Sequence, residues 1–77
     1  MQAFLEFVVG SLVDEPLEVS VKPIERRGVT VYEVRVSPED AGKVIGRRGS
    51  TIQAIRSLLQ IGATKSGQRC TVDLVED

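Results

Sequence analysis

The 77-residue sequence has no histidine and no tryptophan, a single cysteine, and three aromatic rings, Phe4, Phe7 and Tyr32. Each shortage removes a class of chemistry. Without histidine there is no Ser-His-Asp or Cys-His nucleophilic apparatus and no imidazole ligand for a metal. Cys70 alone can close no internal disulfide and build no cysteine-rich metal site. It falls in an apolar strand pattern and is expected to be a small buried hydrophobe. Three rings are too few for a sheet of aromatics on which bases stack. No apolar run reaches the length of a membrane span, and the N-terminus lacks the basic region and cleavage site of a signal peptide. The expectation is a cytoplasmic protein with no membrane attachment and no cofactor.

The length leaves room for one domain, residues 1–77, with a thin stability margin that a partner subunit would widen. The net charge of −1 argues against a nucleic-acid binder until its distribution is considered. From Ala41 to Val72 the charged residues are Lys43, Arg47, Arg48, Arg56, Lys65 and Arg69, with no acid among them. The acids precede that stretch (Glu6 to Asp40) or follow it (Asp73, Glu76, Asp77). Such segregation permits a positive face on an acidic molecule, although interspersed arginines also solvate ordinary helices.

Residues 2–13 suit a helix, with Leu5, Val8, Val9 and Leu12 on one face and Phe4 and Phe7 extending the apolar surface. Asp14-Glu15-Pro16 stops it. Leu17, Val19 and Val21 alternate with polar residues as a strand, and Pro23 hints at a sheet edge. Arg26-Arg27-Gly28 reads as a hairpin turn with positive φ at Gly28. A β-branched strand follows from Val29 to Val36. Its apolar residues change parity, which either a bulge or two-sided burial would explain. Ser37-Pro38-Glu39-Asp40 opens a short helix, with serine as the cap and the acids opposing the dipole. Gly46 and Gly49 break that helix, and Ser50-Thr51-Ile52-Gln53 begins another with a capping-box pattern. Ile52, Ile55, Leu58 and Leu59 form its core face, Ser66-Gly67 closes it, and Cys70, Val72 and Leu74 alternate as a third strand. The order helix-strand-strand-helix-helix-strand predicts an α+β fold, a three-stranded mixed sheet with the helices packed on one face.

The informative stretch runs from Gly42 to Ile52. Two glycines flank two arginines between a short helix and a longer one. Lacking Cβ atoms, Gly46 and Gly49 let the backbone turn sharply and let a phosphodiester chain approach. Free N–H groups at the start of the second helix suit a phosphate, and Arg47 and Arg48 at the tip can neutralise its neighbours. The apolar residues around the loop could line a shallow groove for unstacked bases.

The run Val44-Ile45-Gly46-Arg47-Arg48-Gly49-Ser50-Thr51-Ile52 resembles the V-I-G-x-x-G-x-x-I signature of KH domains. The element order resembles the type II arrangement. Over essentially its whole length, including Pro38 to Lys43 and Thr51 to Arg56, the sequence resembles the free-standing bacterial KhpA-type proteins. That resemblance implies single-stranded RNA as partner, held by a GxxG loop that clamps about four nucleotides. It also implies a role as RNA chaperone or post-transcriptional regulator, association with the larger KhpB (Jag) protein, and in some bacteria a link to cell shape. Transferred to this chain, the clamp is Gly46, Arg47, Arg48 and Gly49, and the candidate RNA-binding positions also include Lys43, Ile45, Ser50 and Gln53. Arg56 and Arg69 are further cations for the same face.

Two other classes compete. A KH scaffold can serve as a protein-interaction module with little RNA binding of its own. Such domains commonly lose the glycines or place acids in the loop, and neither applies here. The apolar surface of Phe4 and Phe7 would suit a homodimer or a partner, and also suits simple burial. An enzyme is not expected. Asp14-Glu15 and Glu39-Asp40 are adjacent pairs explained by helix ends, and the loop lacks the lysine-serine/threonine ending of a nucleotide-binding P-loop.

Overall fold

A computed structural model describes residues 1–75 and gives the order α1 (Gln2–Leu12), β1 (Ser20–Arg26), β2 (Val29–Arg35), α2 (Ala41–Ile45), α3 (Ser50–Ser66) and β3 (Cys70–Leu74), as expected. Single 3₁₀ turns at Pro16–Glu18, Pro38–Asp40 and Arg47–Gly49 join them. The sheet order is β1-β2-β3, with β1 antiparallel and β3 parallel to β2. The fold is the expected α+β arrangement of a KH domain.

The register sorts the sheet into two faces. Val21, Tyr32, Val34, Cys70 and Val72 share the face that carries the helices and are all buried. Helix α1 packs on β1 and α3 on β3, while α2 touches both helices. Leu5, Leu59 and Val44 are fully sealed between the layers, each worth about 1.5–3 kcal/mol relative to an exposed side chain. Ile24, Val31 and Thr71 form a half-buried row on the open face. The ladder from Ser20↔Arg35 to Arg26↔Val29 is unbroken, so the parity change in β2 reflects two-sided burial and not a bulge.

Several local expectations need correction. Strand β1 starts at Ser20, because Pro16 seeds a 3₁₀ turn in which Val19 N–H donates to Pro16 O at 3.2 Å. Leu17, expected in the strand, is thereby left 99% exposed. The strand continues through Pro23 to Arg26, which the edge position of β1 accommodates. Leu58 is not on the core face of α3. It is 53% exposed, and Ala63 joins Ile52, Ile55 and Leu59 inside instead. Neither Ser37 nor Ser50 caps a helix through its side chain among the described residues; Gly49, in the left-handed region, is the N-cap of α3.

Candidate nucleic-acid interface

Helix α2 ends because Gly46 adopts φ 76°, ψ 178°, a conformation open essentially to glycine. Its N–H still donates to Gly42 O at 2.9 Å. A Cβ at this position would stand 2.6 Å from Thr51 Cβ and 2.9 Å from Thr51 N, so the chain passes too close to α3 for any side chain. Arg47 and Arg48 form the exposed tip, with Arg48 itself left-handed at φ 54°, ψ 28°. Gly49 follows at φ 75°, ψ 13°, with room around it.

The loop is closed from within. Gly49 N–H donates to Gly46 O at 3.2 Å, and Ser50 N–H donates to Arg47 O. These two amides at the head of α3 therefore do not point at a ligand, contrary to the expectation of a helix start with its donors free. What the loop offers is the pair of outward guanidinium groups on a backbone that bulky groups can approach. Its footing is rigid. Val44 is 0% and Ile52 9% exposed, and half-buried Ile45 packs against the same core.

Lys43 is committed elsewhere. Its ammonium pairs with Asp14 and lies 3.4 Å from Asp40 Oδ1. Asp40 is the buried charged group of the core, at 2% exposure, and its Oδ2 accepts the Glu15 N–H at 3.1 Å. Burial alone would push the Asp40 carboxyl up, but the N–H groups of Asp14 and Glu15 and the Lys43 ammonium outweigh it and hold it below the usual carboxylate range. The Lys43 ammonium is raised, chiefly by its hydrogen bond to Asp14. These groups fasten the segment after α1 to the start of α2 and so fix the direction from which α2 enters the loop.

Beyond the loop, the flank of α3 facing β3 is polar. Arg56 Nε donates to Val72 O at 3.3 Å and Gln60 Nε2 to Cys70 O at 2.8 Å, covering the outer edge of a strand that would otherwise present unpaired acceptors. Ser50 and Gln53 are exposed on the first turns of α3, continuous with the arginine tip.

With this geometry, the comparisons with known proteins are decisive. The family profile described as KhpA/KhpB, KH domain, matches residues 2–74. The chain belongs to the KhpA/KhpB KH-domain family. Its relatives include the RNA-binding protein KhpA of Chlamydia caviae, 38% identical over 77 residues that cover 100% of this chain and 99% of the relative. The protein of the same name from Borreliella burgdorferi is 44% identical over 72 residues, 94% of this chain and 88% of the relative. That from Clostridium acetobutylicum is 39% identical over 75 residues, 97% and 100% respectively.

Within this KhpA/KhpB-type domain the structure brings Ile45, Gly46, Arg47, Arg48, Gly49, Ser50 and Gln53 together at one end of α3 and turns Lys43 toward Asp14 and Asp40. Sequence reading missed Asp40 as an anchor, because a helix-start acid looks the same whether it faces solvent or is folded under a neighbouring loop. It also missed Gln60, for which a signal existed: Arg56 and Gln60 are spaced i, i+4 and therefore share one face.

Proposed function

We propose that the Gly46–Gly49 loop clamps the phosphodiester backbone of single-stranded RNA, with the bases against the flank of α3 and the edge of β3. The observation that carries this reading is the outward Arg47-Arg48 pair on a glycine-bracketed loop rooted in buried Val44 and Ile52. Relatives named RNA-binding protein KhpA, similar along nearly the whole chain, support RNA as the ligand. Ser50 and Gln53 extend the contact along α3, and Ile45 supports the groove. Lys43 serves mainly through its acid partners, in keeping the loop oriented. Such a module is a binding protein of the cytoplasm and not a catalyst, and weak, backbone-centred contact suits an RNA chaperone or post-transcriptional regulator.

A single module makes few contacts, so a second one adds avidity. Phe4, Phe7, Leu58 and Ile61 are 38%, 74%, 53% and 60% exposed. Phe4 and Phe7 lie on α1 and Leu58 and Ile61 on α3, and Met1, at the head of α1, packs over Gly62 of α3. This apolar surface suits a second copy of the chain or a KhpB/Jag-like KH protein.

The test is binding of a labelled single-stranded RNA across a salt series, comparing wild type with Arg47→Asp/Arg48→Asp, with circular dichroism to confirm folding. Salt-sensitive binding lost in the folded variant supports the clamp. Equal binding by both places the RNA elsewhere, and no binding by either favours a protein-interaction module.

A further inference from the structure

The tripeptide Arg-Arg-Gly occurs twice, as Arg47-Arg48-Gly49 in the clamp loop and as Arg26-Arg27-Gly28 at the tip of the β1–β2 hairpin. The backbone repeats as well as the sequence. Arg48 and Gly49 have φ 54° and 75°; Arg27 and Gly28 have φ 53° and 80°. Among the described residues these two arginines are the non-glycine positions with positive φ. A two-residue hairpin of type I′ requires that conformation at both central residues and normally takes Asn-Gly. Arginine is a sterically poor choice there, so its presence calls for a reason outside the turn.

The two tips lie at opposite ends of the molecule. Arg56 bonds to Val72 and Gln60 to Cys70, so α3 runs antiparallel to β3. Its C-terminus therefore lies beside Cys70 and its strand partner Thr30, next to the hairpin, while its N-terminus carries the clamp. A 17-residue helix spans about 25 Å, most of the 34 Å long axis.

Around the hairpin the charge is positive and uncommitted. Arg26, Arg27, Lys65 and Arg69 are exposed and make no ion pair with any described residue. Between hairpin and α3–β3 turn lies an open polar recess of about 530 Å³, lined by Gly28, Thr30, Gly67, Gln68 and Arg69, with Glu25 the single acid. From this recess to the clamp, Gln53, Arg56, Gln60 and Thr64 form an acid-free polar stripe along one flank of α3.

We propose that the hairpin tip Arg26-Arg27-Gly28, with Arg69 and Lys65, is a second contact for the phosphodiester backbone, so that one RNA strand runs from the clamp along α3 to the hairpin. The proposal rests on the reading of the Gly46–Gly49 loop given above. It makes the binding site longer than the roughly four nucleotides of the clamp alone.

The experiment measures fluorescence anisotropy with a four-nucleotide and a twelve-nucleotide oligouridylate, on wild type, Arg26→Gln/Arg27→Asn and Arg47→Asp/Arg48→Asp. Asparagine keeps the turn favourable, and circular dichroism checks each variant. The hairpin variant should bind the longer RNA about tenfold more weakly and lower its salt slope by about 1.4, at roughly 0.7 for each of two phosphates that are no longer neutralised. Its binding of the shorter RNA should not change. Unchanged affinity and slope for the longer RNA overturn the second contact, as does an equal loss for both lengths. If the clamp variant binds both RNAs like wild type, the clamp reading itself fails and the extension fails with it. A clamp variant that loses both RNAs beside an unaffected hairpin variant removes the extension alone.

Discussion

Gly46 and Thr51 are packed so closely that a methyl group on residue 46 would lie 2.6 Å from the Thr51 Cβ. That approach, together with φ 76°, ψ 178° at Gly46, makes the first glycine of the loop irreplaceable for two independent reasons. The second glycine differs, since Gly49 has the left-handed φ 75°, ψ 13° and a Cβ there would meet nothing nearer than Ile52 Cγ2 at 4.0 Å.

Gly46→Ala is therefore expected to destabilise the protein by about 3 kcal/mol, combining backbone strain with overpacking. Gly49→Asn should cost less than about 1 kcal/mol, because asparagine tolerates the left-handed region. Urea denaturation of both variants checks the contrast; equal losses would show that space around Gly46 does not matter.

Arg27→Asn should stabilise the hairpin by about 0.5–1 kcal/mol, since Asn-Gly suits a turn with two positive φ values better than Arg-Gly. A raised urea midpoint with unchanged m-value is the expected result. A lowered midpoint would mean that Arg27 makes a stabilising contact.

In α3, Leu59 is 0% and Leu58 53% exposed. Leu59→Ala should cost about 2–5 kcal/mol, whereas Leu58→Ala should stay within about 0.5 kcal/mol. If the outer apolar surface joins two copies, Leu58→Ala will also lower the mass seen by light scattering at a given concentration.

The Asp14–Lys43–Asp40 cluster predicts pH limits on stability. The Asp40 carboxyl is held below its ordinary value of 3.8, so the folded state binds its proton less readily than the unfolded chain. Its contribution is present above that ordinary value and is lost as pH falls through the lower folded value. For Lys43 the sign reverses: a folded value raised above 10.5 gives a contribution that is full below 10.5 and disappears as pH rises through the raised value. Thermal melts from pH 6 downward should show a shallower loss in Asp40→Asn than in wild type, from a lower starting melting temperature. Parallel curves would rule Asp40 out as a source of the acid sensitivity.

Arg56→Ala/Gln60→Ala removes the donors from Val72 O and Cys70 O on the edge of β3. Two net side-chain hydrogen bonds are worth about 1 kcal/mol each, and the uncovered edge invites strand pairing between molecules. A loss of about 2 kcal/mol, with turbidity rising faster on storage than in wild type, is the expected outcome.

Local sequence determined the element order and the candidate loop. The causes are short-range: Pro16 and Pro38 start turns, glycines at 28, 46 and 49 permit positive φ, and period-two alternation marks β3. The V-I-G-R-R-G-S-T-I run could be read for the same reason, because a glycine-bracketed turn is specified by residues within a few positions of one another. The misplaced details depended on what lay across space. Leu17 and Leu58 fit strand and helix periods as well as their buried neighbours do, yet no layer covers them. Ser50 looked like a cap, but Gly49 takes that role once Gly46 O and Arg47 O accept the first amides.

The sequence by itself specified a helix-strand-strand-helix-helix-strand chain with two arginines on a tight loop. Tertiary structure decided which charges that loop keeps. It folds Asp40 beneath the segment after α1, which draws Lys43 away from the loop, and it lays Arg56 and Gln60 along the edge of β3. It also sets the two Arg-Arg-Gly tips at opposite ends of one helix. Periodicity carries no information about such pairings, because an ion pair or an edge contact depends on which distant segments the sheet and its helices bring side by side.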